Sequence, residues 1–138
     1  MDSIKDKVAI IGMGCVKFGE NWTQSLDDMI IDAAYEAYEQ LLQALEENKG
    51  NLSTHEYARQ QVELAVALAA IRALEVTLAV QAGQGYDLNA ATGAYHTALN
   101  LVNTNANQLT GYQQVYALMV LNTIAEALND SGGRINID

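Results

Sequence analysis

The spacing of apolar residues predicts that most of this chain is helical. Apolar side chains recur every three or four residues, as on one face of an α-helix, in four successive segments. The second segment is apolar on nearly every side, so we expect it to form the central helix of a bundle. The predicted helices cover residues 25–48, 54–81, 88–105 and 108–128.

Capping signals support the starts of three of these helices. Ser25 precedes two aspartates, which the helix dipole favours in a first turn. Ser53 and Glu56 have the spacing of a capping box. Either Asp87 or Asn89 is suited to cap the third helix. Stop signals are expected at Gly50, at 83–85 and at 129–133.

Both ends of the chain carry short strand patterns. Within residues 1–22, the β-branched run 8–11 predicts a buried strand, and a glycine-rich loop follows it. The tail 134–138 alternates polar and apolar residues, which is also typical of a strand. The two strands either pair with each other or the tail frays. The predicted fold is therefore a mainly α single domain over 1–138, a four-helix bundle with a short N-terminal strand.

Composition excludes several functions. Seventeen acidic residues outnumber seven basic ones and give a net charge of −10, which disfavours nucleic acid and anionic membrane surfaces as partners. The longest apolar stretch, 62–80, contains Glu63, Arg72 and Glu75, so we expect a buried helix there and no membrane span. The absence of proline suits a helical bundle, and it would equally suit a designed or chimeric sequence.

Residues 88–125 contain no Asp, Glu, Lys or Arg. The outer faces of helices in soluble domains normally carry charges. Two explanations stay open. The last two helices are either the most buried ones of the bundle, or their outer faces meet another protein. The second explanation predicts a homo-oligomer or a protein partner bound through residues 88–128.

The opening of the chain resembles the N-terminus of the thiolase superfamily, in particular its acetyl-CoA acetyltransferase and lipid-transfer-type branch. The resemblance covers about residues 7–40 and is carried by Val8-Ala9-Ile10-Ile11-Gly12-Met13-Gly14-Cys15-Val16-Lys17-Phe18-Gly19-Glu20, Ser25-Leu26-Asp27-Asp28-Met29-Ile30 and Asp32-Ala33-Ala34-Tyr35-Glu36-Ala37-Tyr38-Glu39. It implies a first core strand, a loop and a first helix. After Gln40 the helical pattern continues where the family would turn, and nothing later in the chain resembles a thiolase.

The thiolase chemistry is incomplete in this sequence. Cys15 is the only cysteine, and it lies upstream of the segment in which the family places its nucleophile. His96 lacks the Gly-His-Pro context of the thiolase histidine. We therefore assign no catalytic residue from the resemblance. Cys15 is more simply a small, partly buried thiol, and a single thiol is typical of the cytoplasm.

Other candidate sites are weak. We expect His96 to be a hydrogen-bonded, partly buried histidine, and a role as a ligand or base is the alternative. Arg72 and Glu75 form an ion pair or contact another helix, and a ligand-binding pair is the alternative. A dinucleotide loop would need glycine where Lys17 stands, and the Glu-x-x-His motifs of a di-iron site are missing. No cofactor or metal is predicted.

These observations predict a non-catalytic helical scaffold or interaction protein that self-associates. The alternative hypothesis, which follows from the resemblance, is a small thiolase-related protein that binds or processes acyl thioesters.

Overall fold

The computed structural model describes residues 26–132, which form four α-helices and two short 3-10 turns. The mainly helical bundle predicted from the sequence is confirmed. Within residues 26–132 no strand is present, and the predicted strands at 8–11 and 134–138 lie outside this range. The helices are α1 (Leu26–Glu47), α2 (Thr54–Ala82), α3 (Leu88–Thr104) and α4 (Gly111–Asp130).

Helix α2 is the central element, because it contacts each of the other three helices. Helices α3 and α4 also pack against each other, whereas α1 packs chiefly on α2. The main core is accordingly shared by α2, α3, α4 and the turn before α4. Its most deeply buried members are Ala69, Val76, Ala91, Ala98, Val102, Leu121, Ala125 and Leu128.

Helix α1 is attached chiefly through its contact with α2. Its buried residues Ile31 and Leu45 are not part of the main hydrophobic cluster. The molecule is thus a three-helix core with one further helix laid against its central member.

Consecutive helices run in opposite directions, since a short connection joins each helix to the next. Helices α2 and α4 are therefore parallel, and one contact joins them at each end. His55 Nδ1 lies 3.1 Å from the carbonyl oxygen of Gln108, near the starts of both helices. The Tyr86 hydroxyl, just after α2, donates to the carbonyl oxygen of Ser131, just after α4, at 3.2 Å.

Helix caps fix several of these boundaries. Ser53 Oγ accepts the backbone N–H of Glu56 at 3.1 Å, and Asp87 Oδ1 accepts that of Ala90 at 2.9 Å. Gly83 ends α2 at φ 68°, a left-handed conformation that glycine adopts without strain.

One predicted boundary was wrong by several residues. Helix α4 begins at Gly111 and not at residue 108, because Thr110 caps it and residues Ala106–Gln108 form a 3-10 turn. Helix α1 ends at Glu47, within one residue of the predicted end, and the Asn48 side chain donates there to the carbonyl oxygen of Ala44 at 2.8 Å.

Candidate functional site

The last two helices, which contain the uncharged segment 88–125, present different outer faces. Helix α3 buries Tyr95 and three smaller residues against the core, and its exposed side chains are amides, hydroxyls and an imidazole. Apart from Gly93, the exposed residues are Asn89, His96, Thr97, Asn100, Asn103 and Thr104. The lack of charge on α3 therefore leaves a polar surface that water can solvate.

Helix α4 buries one apolar stripe and exposes a second. The buried stripe includes Ala117, Leu121, Ile124, Ala125 and Leu128. On the opposite side, four side chains with the spacing i, i+3, i+4, i+7 point to solvent and form what we name the outer stripe. They are Tyr112, Val115, Tyr116 and Met119, which are 79%, 58%, 60% and 63% exposed.

The two tyrosines of the outer stripe are arranged as a pair. The rings of Tyr112 and Tyr116 stack with their centroids 6.2 Å apart and their planes inclined by 21°. Such a pair is favourable beyond the area that it buries, and tyrosine is enriched at protein interfaces. The pair forms a ridge of aromatic surface on the outside of the helix.

A groove of about 660 Å³ runs beside this ridge, between α2 and α4. We name it the α2–α4 groove. On the α2 side its apolar wall is built from Val62, Val66, Ala67 and Ala70. The small alanines leave the recess open, and the two tyrosines form part of its opposite wall. A ridge and a recess thus adjoin on one surface.

The groove carries charge at one end only. There Arg59 Nη1 lies 3.0 Å from Glu63 Oε1, one turn further along α2. Arg59 also borders a smaller recess of about 280 Å³, together with His55 and the turn that precedes α4. This corner therefore places Arg59 and His55 beside the start of α4, and the carboxylate of Glu56 also borders the recess.

Side-chain hydrogen bonds hold the start of α4 in place. Thr110 and Gln113 form a reciprocal capping box, with bonds of 2.9 and 3.1 Å. Gln114 Nε2 donates to the carbonyl oxygens of Ala106 at 2.9 Å and Leu109 at 3.3 Å. The outer stripe begins at Tyr112, within this braced segment, so its position is well defined.

The predicted candidates Arg72 and Glu75 meet on a tyrosine of the first helix. The Tyr35 hydroxyl donates to Glu75 Oε1 at 3.2 Å, and the Arg72 guanidinium lies 5.5 Å from the centroid of the Tyr35 ring. Burial and the negative charge of Glu75 raise the pKa of the Tyr35 hydroxyl above its usual 10.0, and Arg72 acts in the opposite direction. These contacts join α1 to α2.

Of the two residues suggested by thiolase chemistry, the structure describes His96 but not Cys15. His96 is exposed on α3, where its ring meets that of Tyr95 edge-on at 5.2 Å between centroids. Cys15 lies outside the described residues, as does all of the thiolase-like segment before residue 26. The hypothesis of acyl-thioester chemistry depends on Cys15 and stays a prediction.

A second cavity, of about 580 Å³, lies between the start of α1 and the end of α2. Five carboxylates line it together with apolar side chains. These acidic residues are Asp27, Asp28, Asp32, Glu75 and Asp87. Within residues 26–132, however, no three acidic, histidine or cysteine side chains are grouped closely enough to hold a metal ion.

None of the helices in the described part of the chain has both the length and the apolarity needed to cross a membrane. No protein-family model, curated protein or solved structure matches this chain. The outer stripe and the groove beside it are therefore interpreted from their own chemistry.

The uncharged segment 88–125 predicted an interaction surface on both of the last two helices, without distinguishing the outer stripe. The signal was present in the sequence, as apolar residues at 112, 115, 116 and 119. The geometry narrows the candidate surface to α4 and the adjoining wall of α2.

Proposed function

We propose that this protein is a non-catalytic scaffold or interaction protein that self-associates through the outer stripe of α4 and the α2–α4 groove. The observation that carries the proposal is the outer stripe, four exposed apolar side chains in register on one helix face. Isolated exposed apolar residues are ordinary, but a contiguous patch of this kind marks an interaction site.

The size of the patch fits a weak contact between two copies. The four side chains expose on the order of 500 Å², taking about 150–250 Å² for a whole aromatic side chain. Two such surfaces bury about 1,000 Å² in total, at the low end of specific interfaces. We therefore expect a reversible dimer with a dissociation constant in the range of about 10–100 µM.

Charge also favours a second copy as the partner. Each chain carries a net charge of −10, so two copies repel each other wherever their carboxylates meet. The outer stripe lies within the segment 88–125, which has no charged residue. Contact through α4 joins two acidic molecules without placing carboxylates face to face.

Sedimentation velocity over a concentration series tests this proposal. The natural sequence should shift from monomer to dimer between about 5 and 300 µM. Met119→Glu places a carboxylate in the patch and should weaken the dimer at least tenfold, while circular dichroism keeps the helical content of the parent.

Asn100→Glu is the matched control. It adds the same charge at an exposed position of α3 and should leave the dimer unchanged. A natural protein that stays strictly monomeric at about 300 µM rules out the proposed self-association.

A further inference from the structure

The geometry points to a specific arrangement of that dimer: two copies of α4 pair antiparallel about a twofold axis between Val115 and Tyr116, and Glu126 of each copy meets Arg59 of the other. This inference rests on the proposed self-association and adds its orientation and its charged contact.

The first argument is the shape of the surface. In a twofold dimer the same patch serves both partners, so it must be complementary to itself. The tyrosine ridge and the α2–α4 groove lie side by side on one face. A half-turn about the axis brings the ridge of each copy towards the groove of the other, and the contact closes as a dimer without leaving an open end.

The second argument is the uneven distribution of polarity along α4. The outer stripe occupies the first half of the helix, from Tyr112 to Met119. The same outward face continues through Asn122, Thr123, Glu126 and Asp130, which are all exposed. Only the first half of the helix is thus apolar on its outside.

Parallel pairing would set Glu126 against Glu126 and Asp130 against Asp130, and it would align the two helix dipoles. Antiparallel pairing about the centre of the outer stripe avoids both. It places Tyr112 opposite Met119 of the second copy and moves the acidic halves beyond the overlap. The distribution of charge on α4 therefore selects the antiparallel arrangement.

The third argument is the corner at the start of α4. Glu126 lies about 16 Å along the helix from the proposed axis, at 1.5 Å per residue. Thr110, at the start of the helix, lies only about 8 Å from the axis. Glu126 therefore extends past the start of α4 in the second copy, to the recess bordered by His55 and Arg59.

Arg59 is suited to a second acidic partner. Its guanidinium has five N–H donors, so the bond to Glu63 does not exhaust them. Residues 26–132 contain only two other basic side chains of the Lys and Arg type, Lys49 and Arg72, and both contact tyrosines elsewhere in the fold. Arg59 is the cation that the outer face of the groove offers to an approaching carboxylate.

Disulfide cross-linking tests the orientation, in a Cys15→Ser background so that no other thiol reacts. Antiparallel pairing predicts a disulfide when Tyr112→Cys and Met119→Cys proteins are mixed and oxidised. Met119→Cys alone should not cross-link, because its two copies stand about 10 Å apart along the helix axis, which is too far for a disulfide.

Charge reversal tests the contact between Glu126 and Arg59. Glu126→Arg and Arg59→Glu should each raise the dimer dissociation constant about tenfold, because the contact occurs twice in a twofold dimer and each variant loses both copies. The double variant should return to within about twofold of the natural protein. Glu47→Arg, at the end of α1, is the control and should change little.

The outcomes separate this inference from the proposed function. A strict monomer overturns both. A dimer in which Met119→Cys cross-links with itself is parallel, and it overturns the arrangement but leaves self-association intact. A dimer that gives no disulfide in the mixed sample, or whose affinity the double charge reversal does not restore, also overturns the arrangement.

Discussion

The first and last helices both expose apolar side chains, but in opposite electrostatic surroundings. Helix α1 exposes Ile30, Leu41 and Leu42 along a helix that carries seven carboxylates and no basic residue. Helix α4 exposes the outer stripe and has no charge before Glu126. A second molecule can approach the apolar side chains of α4 without desolvating a carboxylate, whereas on α1 it cannot.

The same two helices differ in how they are held. Helix α4 contributes to the shared core through its buried stripe, whereas α1 packs chiefly on α2. Exposed apolar area therefore points to an interaction surface only when the charge and packing of the surrounding residues are considered with it. On α4, which is firmly packed and has no charge before Glu126, exposed apolar area makes a candidate interface, whereas on the peripheral α1 it lies among carboxylates.

The largest effect on the free energy of unfolding is expected from removing a core side chain of α4. Leu121 is 1% exposed, so Leu121→Ala should lower the free energy of unfolding by about 2–5 kcal/mol. Leu45→Ala removes an equally buried side chain from α1, but we expect it to open α1 alone. Urea denaturation measures the first effect, and amide hydrogen exchange along α1 measures the second.

This comparison fails if the two variants behave alike. Loss of protection throughout the molecule in Leu45→Ala would mean that α1 unfolds together with the core. A change below about 1 kcal/mol in Leu121→Ala would mean that α4 is not firmly packed.

A smaller effect is expected at the cap of α4. Thr110→Ala removes one half of the capping box and should lower the free energy of unfolding by about 1 kcal/mol, within a range of about 0.5–2 kcal/mol. Thr97→Ala, at an exposed position within α3, is the matched control and should lie within about 0.5 kcal/mol of the parent. Equal effects in thermal denaturation would show that the cap does not hold α4.

Loss of the Tyr35 hydroxyl should have a pH-dependent effect. Because the folded-state pKa of Tyr35 is raised, its contribution to stability is complete below about pH 10 and is lost as the pH rises through the folded pKa. The free energy of unfolding should therefore fall more between about pH 9 and pH 11 in the natural protein than in Tyr35→Phe.

At neutral pH we expect Tyr35→Phe to cost less than about 1 kcal/mol, because the hydrogen bond to Glu75 is only partly buried. Tyr112→Phe, at the exposed end of the outer stripe, controls for the removal of a phenol. Identical pH profiles for the two variants would contradict the assigned role of Tyr35 between α1 and α2.

The smallest effect on stability is expected at Arg59. Its exposed i,i+4 ion pair with Glu63 should contribute no more than about 0.5 kcal/mol to folding of the monomer. Arg59→Ala measured by urea denaturation at about 5 µM, where the protein is expected to be monomeric, should therefore match the parent within that margin. A loss above about 1 kcal/mol would mean that Arg59 braces α2 and is not a free contact at the groove.

Periodicity and composition predicted the helices well, because the buried face of each helix appears in the sequence as apolar residues spaced three or four apart. The central position of α2 followed from its apolar character on nearly every side, and contacts to all three other helices confirm it. The start of α4 was misplaced although Thr110 and Gln113 have capping-box spacing. The reciprocal bonds of this box satisfy backbone N–H groups at Thr110 and Gln113 and so fix the start of the helix.

The interface was harder to predict for a physical reason. Helix α4 has two apolar stripes, and both show helical spacing. Sequence alone does not tell which stripe the neighbouring helices cover, because that depends on how α2 and α3 approach. Only the packing of Leu121 and Leu128 into the core shows that Tyr112 and Met119 face outwards.

The order of the helices along the chain has a consequence for synthesis. Helix α1 leaves the ribosome before α2, which is its chief partner, and the shared core cannot close until Leu128 has emerged. Once released, the chain needs to form contacts mainly between neighbouring helices, and such topologies fold within about microseconds to milliseconds. Among the four helices of the described residues, the acidic α1 is therefore the one that waits longest in water during translation, and its carboxylates keep its apolar side chains soluble until α2 is complete.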